Sequence, residues 1–227
     1  MALSFARRGG LAVVFDLERH ADNDLGKKAI VPDIDSLVDT CDVLGVDLPC
    51  STWSRARRAP RSSPFPSAVR TNEKLMGLPD NPPRDAAMVR KHNFMYRQAL
   101  KWIRHHADRN GTGYLENPLT SMLWRTRGVR RLMKRRDFAV VDFDMCQYNC
   151  GWRKPTRLLV WGELAGRLQL KRCQGKRGVC SRTHRAHITL SGVADGHFRT
   201  SAAQIYPKAF TDALADCIFG VGKNRCP

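Results

Sequence analysis

The chain is short of acid. Its 227 residues hold 21 Asp and Glu against 39 Lys and Arg, a formal net charge of +18 with an isoelectric point near 10.2. That imbalance disfavours cationic partners and favours a polyanion, whose condensed counterions are released on binding. No apolar run is long enough to span a bilayer, so no membrane partner is expected. The opening segment MALSFARRGG lacks the apolar stretch of a secretory leader. No internal repeat is visible, so a repeat architecture is not expected. The eight cysteines form no disulfide framework for a chain of this length. Cys41, Cys146, Cys150 and Cys217 lie in or beside apolar segments and are expected as reduced thiols in or near the core. An intracellular location follows as the expectation, nuclear if the source is eukaryotic. The length suits a single domain over residues 1–227, with one small appendage.

What is present alternates between strand and helix signals. Residues 11–16 (LAVVFD) predict a buried strand ending at Asp16, and residues 33–40 a short helix capped by Asp33 or Asp35. Residues 42–48 (DVLGVDL) predict the next strand. Residues 49–84 are rich in Pro, Ser and Arg and predict a long loop, of the kind that is functional or disordered. Residues 85–108 place Met88, Phe94, Met95, Leu100, Trp102 and Ile103 at helical spacing, and Asn110-Gly111 ends that helix. Strands are predicted at 112–116, 138–143 and 156–161, a helical stretch with a basic face at 119–136, and a final amphipathic helix within 201–219, after Tyr206-Pro207. Residues 168–198 read as a Cys/His-rich basic insert with one short strand. The alternation predicts an α/β fold with a parallel-type sheet.

Two short motifs sit at predicted strand ends: Asp47-Leu48-Pro49-Cys50 and Glu116-Asn117-Pro118. On adjacent strands of an α/β sheet, a thiol and a carboxylate there would meet in the crevice where such sheets bind ligands. Arginines near Cys50 would favour its thiolate and make it a nucleophile; the plainer reading is a buried cysteine at a turn. Glu116 can hold or protonate a heteroaromatic base; the plainer reading is a strand end whose Asn117 or Thr120 caps the next helix. A third motif, Trp152-Arg153-Lys154-Pro155-Thr156-Arg157, carries basic residues into a strand. Arg157 there suits a phosphate or base carbonyl, while Arg153 suits a solvated turn. Basic runs follow the first two motifs. With the third they give Arg55, Arg57, Arg58, Arg130, Arg131, Arg135, Arg153 and Lys154 as candidate nucleic-acid contacts. Cys173, Cys180, His184 and His187 fall within fifteen residues and can form a tetrahedral zinc site bracing a segment too short for its own core. The other reading of that segment is a basic loop that touches nucleic acid.

In order and spacing, the three motifs resemble the cytosine-5 DNA methyltransferases, and more closely the small divergent methylase-like reading frames of phages and of algal or protist mobile elements. In that family a Pro-Cys motif carries the nucleophile, a Glu-Asn-Val motif the base-holding acid, and a Gln-x-Arg-x-Arg motif precedes a strand. The resemblance covers residues 5 to 219 and implies a Rossmann-like sheet with S-adenosylmethionine as methyl donor. Cys50 would add to carbon 6 of cytosine, Glu116 would hydrogen-bond or protonate N3, and Arg157 matches the last arginine of the third motif. Asp16, Pro49 and Asn117 would border the cofactor, Asp16 through its ribose. The family opens with a strand and a glycine-rich loop, whereas this chain opens on a segment that resembles the helix after that loop. The resemblance therefore implies a sheet lacking its first strand, in a truncated or degenerate relative. Pro118 replaces the family's valine, Arg153 and Pro155 replace the Gln and first Arg, and the segment available for target recognition is small. Two functions stay open at this stage: DNA cytosine-5 methylation, and a non-catalytic nucleic-acid-binding remnant of a mobile element. An amino-methyltransferase of the Asp-Pro-Pro-Tyr type fits poorly, because no aromatic follows Pro49.

Overall fold

The computed structural model describes residues 1–16, 20–57, 66–190, 192–194 and 197–220. Runs of Val, Leu, Tyr and Phe form four strands, β1 (Val43–Asp47), β2 (Thr112–Pro118), β3 (Phe138–Asp144) and β4 (Pro155–Trp161), in the sheet order β1-β2-β4-β3. β1 and β2 are parallel, in register from Val43 opposite Thr112 to Asp47 opposite Glu116. The sheet as a whole is mixed, not parallel throughout as the alternation predicts. The helices are α1 (Ala2–Ala6), α2 (Val31–Thr40), α3 (Pro83–Asp108), α4 (Arg127–Leu132), α5 (Glu163–Arg167) and α6 (Lys208–Phe219), and a two-stranded ribbon pairs β5 (Val193–Ala194) with β6 (His197–Phe198). The described chain is thus mixed α/β. None of its helices is long and apolar enough to cross a membrane.

The chain divides into two compact units. One comprises Met1–Val14, Val141–Arg157 and Gly166–Pro227; the other comprises Phe15–Val140 and Leu158–Ala165. The second is organised by α3. Pro83 opens this helix, where its missing N–H costs nothing, and Asn110 at φ 61° ends it. Its buried face, Tyr96, Ala99, Leu100, Ile103 and Ala107, repeats at three and four residues and packs on Val46, Leu115, Leu159 and Trp161 of the strands. His92, Asn93 and His106 share that face, although they are polar. α2 adds Ile34 and Val38 against Trp102, whose indole N–H donates to Asp35 at 2.6 Å.

The first unit pairs α1 with α6. Ser4 and Thr211 share a hydroxyl hydrogen bond at 2.9 Å, Arg8 donates to Asp216 at 2.7 Å, and Phe5 meets Phe219 edge-on. Phe143 of β3 stacks on Phe210 of α6 with ring centroids 4.6 Å apart. Cys217, expected as a reduced thiol, is disulfide-bonded.

Two sequence expectations change. Residues 11–16 form no strand: Leu11 is 96 % exposed and Val13 58 %. An apolar run becomes a strand only when a neighbour takes its N–H and C=O groups, and no described strand pairs here. Residues 119–136 break at Thr126, which is extended, into a 3₁₀ turn (Met122–Arg125) and the short α4. The final helix starts just after Pro207, as the sequence predicts, since proline removes an N–H and holds the residue before it out of the helix.

The closest approach in the parallel pair is at Gly113, where a Cβ would stand 2.3 Å from the Leu44 carbonyl oxygen and 2.4 Å from the Trp161 ring. Gly113→Ala is expected to cost about 2–4 kcal/mol in urea unfolding, as overpacking against backbone that cannot yield. A change below about 0.5 kcal/mol would refute this packing.

Candidate functional site

The C-terminal ends of β1 and β2 carry the two short motifs side by side. Asp47 stands opposite Glu116 in the parallel register. One residue further on, Asn117 is fully buried and donates from Nδ2 to the Leu48 carbonyl at 2.9 Å, tying the two strand ends together. Glu116 is 5 % exposed, and Cys50 and Pro49 are half-buried. The loops leaving the strands are joined as well. Trp53 N–H closes a turn on the Cys50 carbonyl at 3.0 Å, and the Trp53 carbonyl accepts from Met122 N–H at 2.9 Å. Cys50, Pro49, Glu116 and Asn117 therefore belong to one strand-end locus. Asn117 serves there as a tie between loops, not as a helix cap.

Beneath this locus lies a buried arginine. Arg70 is 1 % exposed and stacks its guanidinium 3.6 Å from the Trp53 ring centre. Nε donates to the Thr52 carbonyl (3.1 Å), Nη1 to the Leu75 carbonyl (2.7 Å) and to Asn93 Oδ1 (2.8 Å), and Nη2 to Thr52 Oγ1 (3.0 Å). Burial pulls its pKa down to about 10, so it stays charged at neutral pH. Thr52 Oγ1 also bonds His92 Nδ1 at 2.8 Å, and burial, reinforced by the Arg70 charge, pulls that imidazole down to about 4. Nothing in the sequence marks Arg70: it is one arginine in a long Pro- and Arg-rich loop. A shallow basic depression of about 320 Å³, lined by Ser54, Arg55, Arg57, Arg70, Thr71 and Asn72, opens in the same loop.

The other expected residues are placed differently. Asp16 is exposed in a segment without strand structure, so the strand end expected to present it does not form. Arg157 belongs to the first unit, where it makes a two-pronged pair with Asp142 at 2.7 and 2.8 Å. Arg153, expected on a solvated turn, instead donates to the fully buried Asp144 at 3.1 Å and to the Cys173 carbonyl. Arg57 is held by Asp85 and the Ser67 carbonyl, and Arg135 by Asp108 and Asp137. Arg55 donates to Asn72, and Lys154 lies over the Tyr206 ring. Arg130 and Arg131 of α4 are exposed and make no ion pair among the described residues. Arg58 lies outside the described residues.

The Cys/His loop assembles a different set from the one expected. Cys146, Cys173, Cys180 and His187 bring their ligand atoms within 4.8 Å of one another, and the three cysteines are buried. His184 is not in the group. A bridge between Val179 and Ala186 folds the loop back on itself, which returns His187 to the cysteines and leaves His184 exposed at the tip with φ 56°. Cys146, expected as a core thiol, takes its place. The available signal was a cysteine just after a strand, upstream of the Cys173/Cys180 pair. Burial pushes all three thiols up. At Cys173 the N–H groups of Ser181 and Gly175, and at Cys180 those of Thr183 and Arg182, outweigh it and bring both to about 7, whereas Cys146 is pushed up to about 12.

Two measurements test the buried network. The folded protein keeps His92 neutral down to about pH 4, while the unfolded chain protonates near 6.5. The unfolded state therefore binds more protons in that window, and stability falls as pH drops through it, by about 2–3 kcal/mol. His92→Gln is expected to flatten this part of the urea-stability profile; an unchanged slope would show that another group carries it. Arg70→Lys keeps the charge but loses the fork, and is expected to cost about 2–4 kcal/mol at pH 7. No protein-family model matches the chain, and neither a curated protein nor a solved structure does.

Proposed function

We propose that the strand-end locus of Cys50 and Glu116 acts on a cytosine of nucleic acid, DNA first, by the covalent activation that precedes methylation at carbon 5. The observation that carries this reading is the parallel register of β1 and β2, which sets a half-buried thiol and a buried carboxyl group on neighbouring strand ends. The Cys50 thiolate forms a bond to carbon 6. The C5=C6 electron pair shifts to the C4–C5 bond, and the C4=N3 pair moves onto N3, which takes the proton of the Glu116 carboxyl group. Carbon 5 becomes an enamine carbon able to take an electrophile, which for exchange is a solvent proton. The original C5 hydrogen then leaves to water, N3 returns its proton to the Glu116 carboxylate, and expulsion of the Cys50 thiolate restores the base. In a duplex the base must first leave the stack. Exposed Arg130 and Arg131, with the basic depression at Arg55, supply phosphate contacts, and their pull is sequence-independent.

S-adenosylmethionine is the donor that the resemblance implies. Pro49 and Asn117 occupy strand-end positions suited to border it, but the strand end expected to present Asp16 to its ribose is not built by the described residues. The chemistry assigned to this chain's own residues therefore ends at the activated base. The second reading, binding without catalysis, is favoured by that same absent strand end.

Exchange of the hydrogen at cytosine carbon 5 with solvent reports the addition step without any donor. Tritium release from DNA labelled at that carbon is expected with the wild-type chain, abolished in Cys50→Ala, and reduced on the order of 100- to 1,000-fold in Glu116→Gln. Exchange that persists in Cys50→Ala would sink the assignment. Salt-sensitive DNA binding with no exchange by the wild-type chain would replace it with the non-catalytic reading, and Arg130→Ala/Arg131→Ala is then expected to lower the salt slope by about 2.

A further inference from the structure

We propose that Cys146, Cys173, Cys180 and His187 bind a structural zinc ion that closes the first unit's long irregular loop. Around a tetrahedral zinc, with sulfur at about 2.3 Å and nitrogen at about 2.0–2.1 Å, ligand atoms stand about 3.5–3.8 Å apart. Cys173 Sγ and His187 Nε2 already stand 3.7 Å apart, and every pair in the group lies within 4.8 Å. Three sulfurs and one imidazole match zinc rather than a hard, oxygen-seeking cation. Cys173, Cys180 and His187 are spaced with six residues between each pair, so the loop makes two equal returns to one point, and Cys146 closes the set from the turn after β3.

The surroundings are arranged for thiolates. Ser181 directs both its N–H (3.4 Å) and its hydroxyl (3.5 Å) at Cys173 Sγ. Gln147 Nε2 lies 3.5 Å from Cys146 Sγ and 3.7 Å from Cys180 Sγ. Outside these donors stands a ring of arginines. Arg182 donates to the Cys146 carbonyl at 3.1 Å and Arg153 to the Cys173 carbonyl at 3.1 Å, while buried Asp144 holds Arg153, Arg172 and the Cys173 N–H in place. Binding balances as one zinc(II) displacing three thiol protons, leaving a centre of net charge −1 that these arginines offset. Such partners orient ligands and tune their basicity.

Four protein ligands fill a tetrahedron, so the ion has no open position for a substrate and its role is structural. The loop needs such a brace. Between α5 and β5 its regular pairing in the described residues is the single bridge of Val179 with Ala186, and its buried cluster is the three cysteines themselves. Metal binding then supplies folding energy where apolar burial is scarce.

The test uses the full chain purified under reducing conditions without added chelator. Elemental analysis is expected to give about one zinc per chain. Cobalt(II) substitution is expected to give the intense visible bands of a tetrahedral site together with thiolate charge-transfer absorption. His184→Ala is expected to keep full occupancy, Cys180→Ser to lose it, and Gln147→Ala to weaken zinc affinity about 10-fold in competition with a chromogenic chelator. Should Cys180→Ser fail to fold, the cobalt spectrum of the wild-type chain and the His184→Ala occupancy still decide. A wild-type chain without zinc whose cobalt spectrum is that of a six-coordinate ion, or a mass spectrum showing a disulfide among Cys146, Cys173 and Cys180, would overturn the proposal. So would loss of zinc in His184→Ala.

Discussion

A buried guanidinium organises the segment that carries Cys50. Among the described residues Arg70 has no carboxylate as a hydrogen-bond partner; the Thr52 and Leu75 carbonyls, the Thr52 hydroxyl and the Asn93 amide take its protons, and the Trp53 ring covers its face. Leaving such a charge unsatisfied costs several kcal/mol, so each partner is held where the arginine needs it. Thr52 and Trp53 are the second and third residues after Cys50, Leu75 lies further along the same loop, and Asn93 is on α3. One side chain thus pins an otherwise irregular stretch to the longest helix of the fold. Burial keeps His92 neutral and Arg70 reinforces it: an imidazolium there would add a second buried positive charge to the same pocket.

The same economy governs the rest of the basic excess. The chain carries a formal charge of +18, yet many of its arginines serve inside the fold. Arg57 holds Asp85, Arg135 holds Asp108 and Asp137, Arg153 holds Asp144, and Arg157 holds Asp142. Acid is scarce, and much of it is spent positioning basic side chains. A charge count therefore overstates the cation available to a polyanion. Arg130 and Arg131, exposed on α4, are the clearer candidates for phosphate contact.

The two loci ask different things of cysteine. At the strand ends a single thiol and a buried carboxyl group belong to neighbouring parallel strands, the placement on which the proposed nucleophile and its acid rest. In the Cys/His loop three thiols and an imidazole converge with donors aimed at sulfur, an arrangement suited to a metal. Sequence patterning separates these uses by spacing: Cys50 stands alone after its strand, while Cys173, Cys180 and His187 recur at equal intervals.

Local sequence by itself determined the long helix, the four main strands and the strand-end placement of Cys50 and Glu116. Apolar periodicity, Pro83 at a helix start and Asn110-Gly111 at its end are signals that act within a few residues. It misled at residues 11–16, because a strand exists only through its neighbour, and at 119–136, because an extended Thr126 interrupts the basic helical pattern. Tertiary structure alone decided that Asn117 ties β2 to the loop after β1, that Arg70 is buried, and that Cys146 rather than His184 completes the thiol cluster. Each of these joins residues far apart in the chain, or depends on which way a turn points. Composition and short-range pattern carry no record of that geometry, because it is set by what else must be buried and satisfied nearby.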